Sequence, residues 1–166
     1  MQHRVRNAAI AAAWFTCLGM VAGATFAADR KSTDSSHERG RYLVTITGCN
    51  DCHTPGYTTT GGKVDEKQWL TGDTLGWRGP WGTTYAVNLR LYIQTLSEKE
   101  WVDKARHLNA RPPMPFWALN AMTEPDLRAI YRYVRSLGPA GAPAPAYVPP
   151  DQDPKPPYVT FPAPPK

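Results

Sequence analysis

The chain has 166 residues, a formal net charge of +5 and 42% hydrophobic residues. That length suits one small domain with one core, and so modest a charge is too weak to imply a nucleic-acid partner. Three cysteines are too few for the disulfide framework that staples many small secreted domains.

Residues 1–28 have a three-part layout: His3, Arg4 and Arg6, then the apolar run from Ala8 to Gly23, then the small-residue cluster from Ala24 to Ala28. This is the pattern of a secretory signal peptide, and cleavage is expected near Ala27 or Ala28. A retained anchor is the alternative, but an apolar run of 16 residues falls short of the roughly 20 needed to span a bilayer. No membrane span is expected after cleavage. The leader carries Cys17 and two arginines, so its removal lowers the charge from +5 to +3 and leaves Cys49 and Cys52 as the mature thiols.

Residues 29–137 form the expected domain. Ser35 and Glu38 make an S-x-x-E capping box, and the first helix is expected to run to Gly48 and deliver Cys49 at its end. Gly40 costs this helix about 1 kcal/mol against alanine, which points to close approach by another element; alternatively, the helix begins after it.

Cys49-Asn50-Asp51-Cys52-His53 is a C-x-x-C-H motif, the spacing of covalent haem attachment. Two thiols one helical turn apart can add to the two vinyl groups of a haem, and the adjoining histidine then lies under the iron. The same dithiol serves thioredoxin-like exchange, half a zinc site or a disulfide turn. An exchange enzyme wants a preceding strand, and a zinc site wants further ligands where only the isolated His37 and His107 remain. With one such motif and no internal repeat, the expectation is a single covalent haem c.

Residues 54–95 are rich in Gly, Thr and Trp and are expected to be mostly loop, with one helical turn near Asp65 to Leu70. So long a loop needs something to pack against, and a haem edge would serve. Ser97 and Glu100 form a second capping box, with Leu96 and Trp101 as its hydrophobic staple, opening a helix to about His107. Thr123 opens the last helix, with Met122 and Leu127 as staple. Its residues Leu127, Ile130, Tyr131, Val134 and Leu137 recur at helical spacing as a buried face. Residues 138–166 carry 11 prolines in 29 positions and are expected to be extended. The tail either wraps the domain through Tyr147, Tyr158 and Phe161 or serves as a docking arm.

An iron held by His53 has a second axial position. Met114, among Pro112, Pro113 and Pro115, offers a soft thioether on a stiff segment and is the candidate distal ligand, with a gap-filling core methionine as the alternative. Met122 is accounted for as a staple residue, His107 by the end of a charged helix, and His37 as a first-turn surface residue. Trp69, Trp77, Arg78, Trp81, Tyr85 and Arg90 are the candidates to pair with the haem carboxylates. Lys99, Lys104, Arg106 and Arg111 make a possible docking ring or an ordinary solvated face.

The Cys49–His53 motif, the capped helices on either side and Met114 before Pro115 resemble a class I c-type cytochrome. More narrowly, the stretch from Gly79 to Leu89, the Pro113-Met114-Pro115 segment and the run from Asp126 to Tyr131 resemble bacterial cytochromes that serve as electron-transfer subunits or partners of periplasmic dehydrogenases. The resemblance covers residues 36–137; those subunits often carry several haems, and this chain has one motif. It implies an all-α, cytochrome c-like fold with first and last helices crossing, Gly40 meeting Tyr131 and Val134. It also implies a periplasmic electron carrier or electron-transfer subunit, not itself an enzyme, whose partners are redox proteins. Two other functions remain open: a haem enzyme or gas sensor with an open distal position, and a structural or docking subunit of a dehydrogenase complex.

Overall fold

The computed structural model describes residues 35–162. The expected leader, with Cys17, lies outside them. The described residues belong to one compact unit. None of their helices is long and apolar enough to cross a membrane.

Helix α1 occupies 35–46 and buries Gly40, Leu43 and Val44. It was expected to reach Gly48. Instead Gly48 adopts a left-handed backbone (φ 75°, ψ 16°), and the chain restarts as the separate short helix α2, Cys49–His53. A left-handed residue just past a helix end is favoured when it is glycine. The break separates the direction of the cysteine turn from that of α1.

The two capped helices form where their local signals stand. Helix α4, Glu98–Arg106, has the reciprocal capping box of Ser97 and Glu100. Helix α6, Glu124–Ser136, starts at Thr123, whose hydroxyl accepts the Asp126 N–H. Leu127, Ile130, Tyr131 and Val134 of its expected face are buried, as are Ala129 and Tyr133. Gly40 does face α6, and its nearest neighbours there are Ala129 and Tyr133, where Tyr131 and Val134 were expected; a Cβ on Gly40 would lie 2.1 Å from the Ala129 carbonyl oxygen. Ala129 and Tyr133 lie one turn apart, and the small Ala129 lets the two backbones close in. Tyr133 then donates its hydroxyl to Glu66 (2.7 Å), which also pairs with Arg41 of α1.

The long segment after α2 holds more structure than its composition suggested. The expected helical turn is a 3-10 turn at Glu66–Gln68. Strands β1, Gly76–Gly79, and β2, Gly82–Tyr85, form an antiparallel hairpin. Helix α3, Leu89–Gln94, begins where the Asn88 side chain accepts the Leu91 N–H. Leu70, fully buried at φ 60°, is the one non-glycine with positive φ among the described residues. Its N–H is taken by the buried Thr54 hydroxyl and its carbonyl by the Arg90 N–H. Helix α5, Phe116–Asn120, follows the Met114 segment.

The proline-rich tail folds back. Its strand β3, Tyr158–Thr160, pairs in parallel with β1, giving the order β2-β1-β3. As an edge strand, β3 tolerates the prolines on its flanks, which lack a donor N–H. Further back, Val148 bridges to Thr83, and Phe161 packs against Trp77 and Trp81.

Helices α4 and α6 are also joined electrostatically. Glu98 accepts from Arg128 (2.8 Å) and doubly from Arg132 (2.9 Å each). The Arg132 hydrogen bonds, with Arg128, hold the Glu98 carboxyl below its usual range against the opposing effect of burial. A folded value below the unfolded one stabilises the fold above about pH 4.3, and that contribution is lost as pH falls through the folded value. Glu98→Gln is expected to lower stability in urea by about 1 kcal/mol at pH 7. The difference from the unaltered protein should close towards pH 3.

Candidate functional site

α2 sets its two thiols one turn apart, so Cys49 and Cys52 share a helix face. Both are free thiols, and burial pushes both upward in pKa. A dithiol built for exchange is poised the other way, as a low-pKa thiolate. No group of three or more His, Cys, Asp or Glu side chains gathers among the described residues.

His53 closes α2 and is buried. Its Nδ1 lies 2.8 Å from the Val87 carbonyl oxygen. A carbonyl only accepts, so Nδ1 carries the proton and Nε2 keeps its lone pair. Burial lowers the His53 pKa, which favours the neutral ring. The His53 carbonyl in turn accepts the Gly72 N–H at 2.8 Å. Thr54, next in sequence, donates to Asn50 and accepts from Leu70. The end of α2 is therefore fixed from two later segments.

Cys49, Cys52, His53 and Met114 all line one cavity of about 920 Å³. Its walls come from all six helices, from β1 and β2, from the 108–115 segment and from the tail, through residues such as Val44, Tyr85, Leu89, Trp101, Leu108 and Pro145. The volume sits near the upper end of the ~300–1,000 Å³ common for small-molecule sites. Two thiols, one neutral imidazole and one thioether are a soft donor set facing a largely apolar chamber that can house a broad, flat, hydrophobic group.

Met114 is carried by a short, tethered segment. Its N–H reaches the Arg111 carbonyl (3.3 Å), and its carbonyl accepts the Phe116 N–H (2.9 Å). Thr84 of β2 donates to the Pro112 carbonyl at 2.8 Å. Met122 also lines the cavity and packs on the core cluster. His107 is exposed, within reach of the Asp103 backbone and carboxylate. His37 stacks edge-on against Tyr133.

Of the six candidates to pair with carboxylates, only Trp77 and Tyr85 line the cavity. Trp69 is buried and donates to the Val64 carbonyl. Arg78 pairs with Asp153 of the tail, and Trp81 packs on Phe161. Arg90 is buried and donates to the Leu137, Gly138 and Lys67 carbonyls, two of them the orphan acceptors beyond the end of α6. The cations that line the cavity are Lys104 and Arg111, while Arg106 pairs with Glu124. Sequence reasoning gave Lys104 and Arg111 a surface role. It missed Tyr92 and Thr84 as lining residues, and it named Tyr147 as a residue that wraps the tail onto the domain without placing it at the cavity.

Comparison of the chain with protein-family models, with curated proteins and with solved structures returns no match.

Proposed function

We propose that the chain is an electron-transfer protein with one covalently attached haem c, exported to the periplasm, handing electrons between redox partner proteins such as a dehydrogenase and its acceptor. In this reading the helical core with its cavity is a cytochrome c-like fold with an added sheet. The observation that carries the reading is the convergence of Cys49, Cys52, His53 and Met114 on one cavity. The two thiols would form thioethers with the haem vinyl groups.

Bound there, the haem supplies an iron that changes oxidation state by one electron. The chain's own residues do the rest. Val87 holds the His53 ring in the tautomer whose Nε2 can ligate, the usual partnership for a ligating histidine. Met114 would offer its thioether as the second ligand, which would leave no position for oxygen or peroxide. Apolar walls exclude water and favour the less charged state, so they raise the potential together with the methionine. Trp77, Tyr85, Lys104 and Arg111 are among the lining residues whose donors would be available for the haem carboxylates. His53 and Met114, each on a short tethered segment, would hold the iron with little rearrangement of the chain in either oxidation state.

The test is the visible spectrum of the exported protein, oxidised and reduced, with the haem challenged by acid-acetone. A haem that resists extraction, is low-spin and shows the far-red band of sulfur-ligated ferric iron is expected. Met114→Ala should abolish that band and open the site to cyanide or CO. A high-spin spectrum in the unaltered protein would move the assignment to a ligand-binding haem enzyme or sensor. Complete extraction would remove the haem c assignment.

A further inference from the structure

We propose that Tyr147 of the proline-rich tail is a positioning residue for the Met114 segment, and that the tail is a built-in clamp on the cavity and not a free docking arm; the role this gives to Met114 rests on the function proposed above. The Arg111 guanidinium carbon stands 3.9 Å from the centre of the Tyr147 ring, close for a cation over an aromatic face. Tyr147 donates its hydroxyl to the Trp81 carbonyl at 2.8 Å, at the turn of the hairpin. The residue after it, Val148, exchanges both backbone hydrogen bonds with Thr83 (2.7 and 3.0 Å). Thr84, next on β2, holds the Pro112 carbonyl. The chain from Arg111 to Met114 is thus gripped at one end by a tail aromatic and in its middle by a strand that the tail itself braces.

Gly82 shows that the approach is close. A Cβ there would lie 2.5 Å from the Val148 carbonyl oxygen and 2.7 Å from the Tyr147 hydroxyl. The tail can sit on β2 only because that position has no side chain. Pro145 and Tyr147 line the same cavity as Met114 and Arg111, so the clamp is also a wall. Farther along, the Arg78–Asp153 pair and the parallel strand β3 anchor the tail a second and third time.

The experiment is amide hydrogen exchange on the full exported chain, read at Met114 and Phe116, with far-red absorbance of the ferric form followed in parallel. Losing the stacked cation and the hydroxyl bond together should speed exchange at these two amides by about tenfold in Tyr147→Ala, with α4 and α6 amides unchanged. Arg111→Ala should reproduce most of the effect, and adding it to Tyr147→Ala should bring little more. Tyr147→Phe, which keeps the ring beneath the guanidinium, should restore most of the protection. The far-red band of Tyr147→Ala should weaken at lower temperature than that of the unaltered protein. Unchanged exchange in both Tyr147→Ala and Arg111→Ala overturns the proposal. If Tyr147→Ala does not fold, Arg111→Ala decides alone. A chain without covalent haem would defeat the proposed function, and the exchange rates would still decide the clamp.

Discussion

Exported protein carrying Cys49→Ala together with Cys52→Ala is expected to retain no haem through acid-acetone extraction and to lose most of its fixed tertiary structure. The two sulfurs sit on one face of a five-residue helix, too short to be stable by itself, and they border a chamber of about 920 Å³. Side chains that line a chamber without content forfeit contacts on one side, and whatever binds only the folded chain stabilises it by mass action. Each single substitution leaves one thioether possible, so Cys49→Ala and Cys52→Ala should show reduced yield of covalent haem with the fold kept. Extraction followed by far- and near-ultraviolet circular dichroism checks both parts. Covalent haem surviving in the double variant would show that attachment lies elsewhere.

A second large effect is expected at Gly40. Alanine there should lower stability by about 3 kcal/mol, the upper part of the overpacking range, out of a total of roughly 5–15 kcal/mol. The added methyl would stand 2.1 Å from the Ala129 carbonyl oxygen and 2.6 Å from the Tyr133 Cβ. Neither backbone nor Cβ can rotate away, so α1 and α6 must separate. That separation disturbs Val44 and Tyr133, both fully buried, and the Tyr133–Glu66–Arg41 chain of hydrogen bonds. A thermal melt should show a drop of about 10 °C. A midpoint within about 2 °C of the unaltered protein would mean that the two helices do not cross at this contact.

How far these features were legible in the sequence follows from how local their causes are. Helices α4 and α6 begin at Ser97 and Thr123 because a hydroxyl and a backbone N–H three residues on satisfy each other. Gly40 announced a close approach, but which residues it meets depends on the rotation of α6, which spacing alone does not set. Strand β1 contains two glycines among its four residues and β3 is three residues long. The glycines of β1 mask any β pattern, the Tyr-Val-Thr run of β3 is short and set among prolines, and β1 is completed by β2 on one side and β3 on the other. Asn88 as the cap of α3 was a readable signal that a turn-rich background hid. Arg90 is a candidate partner for the haem carboxylates by sequence, whereas it serves the carbonyls beyond α6 from 47 residues away. For the candidate site, C-x-x-C-H and the proline-flanked Met114 were conspicuous, and the structure brings all four side chains to one cavity. The carbonyl behind His53 belongs to Val87, 34 residues on, and nothing local to either residue marks that pairing.

The parallel pairing of β1 with β3 joins Arg78 to Thr160, with 81 residues between them. Closing so large a loop has an entropic cost that only contacts made late can offset. The thiols and His53 lie far upstream in the chain, whereas Pro145 and Tyr147 reach the cavity from the returning tail. One wall of the chamber is therefore supplied by the far end of the chain, so a truncation of the tail would breach the cavity and leave the haem motif itself intact.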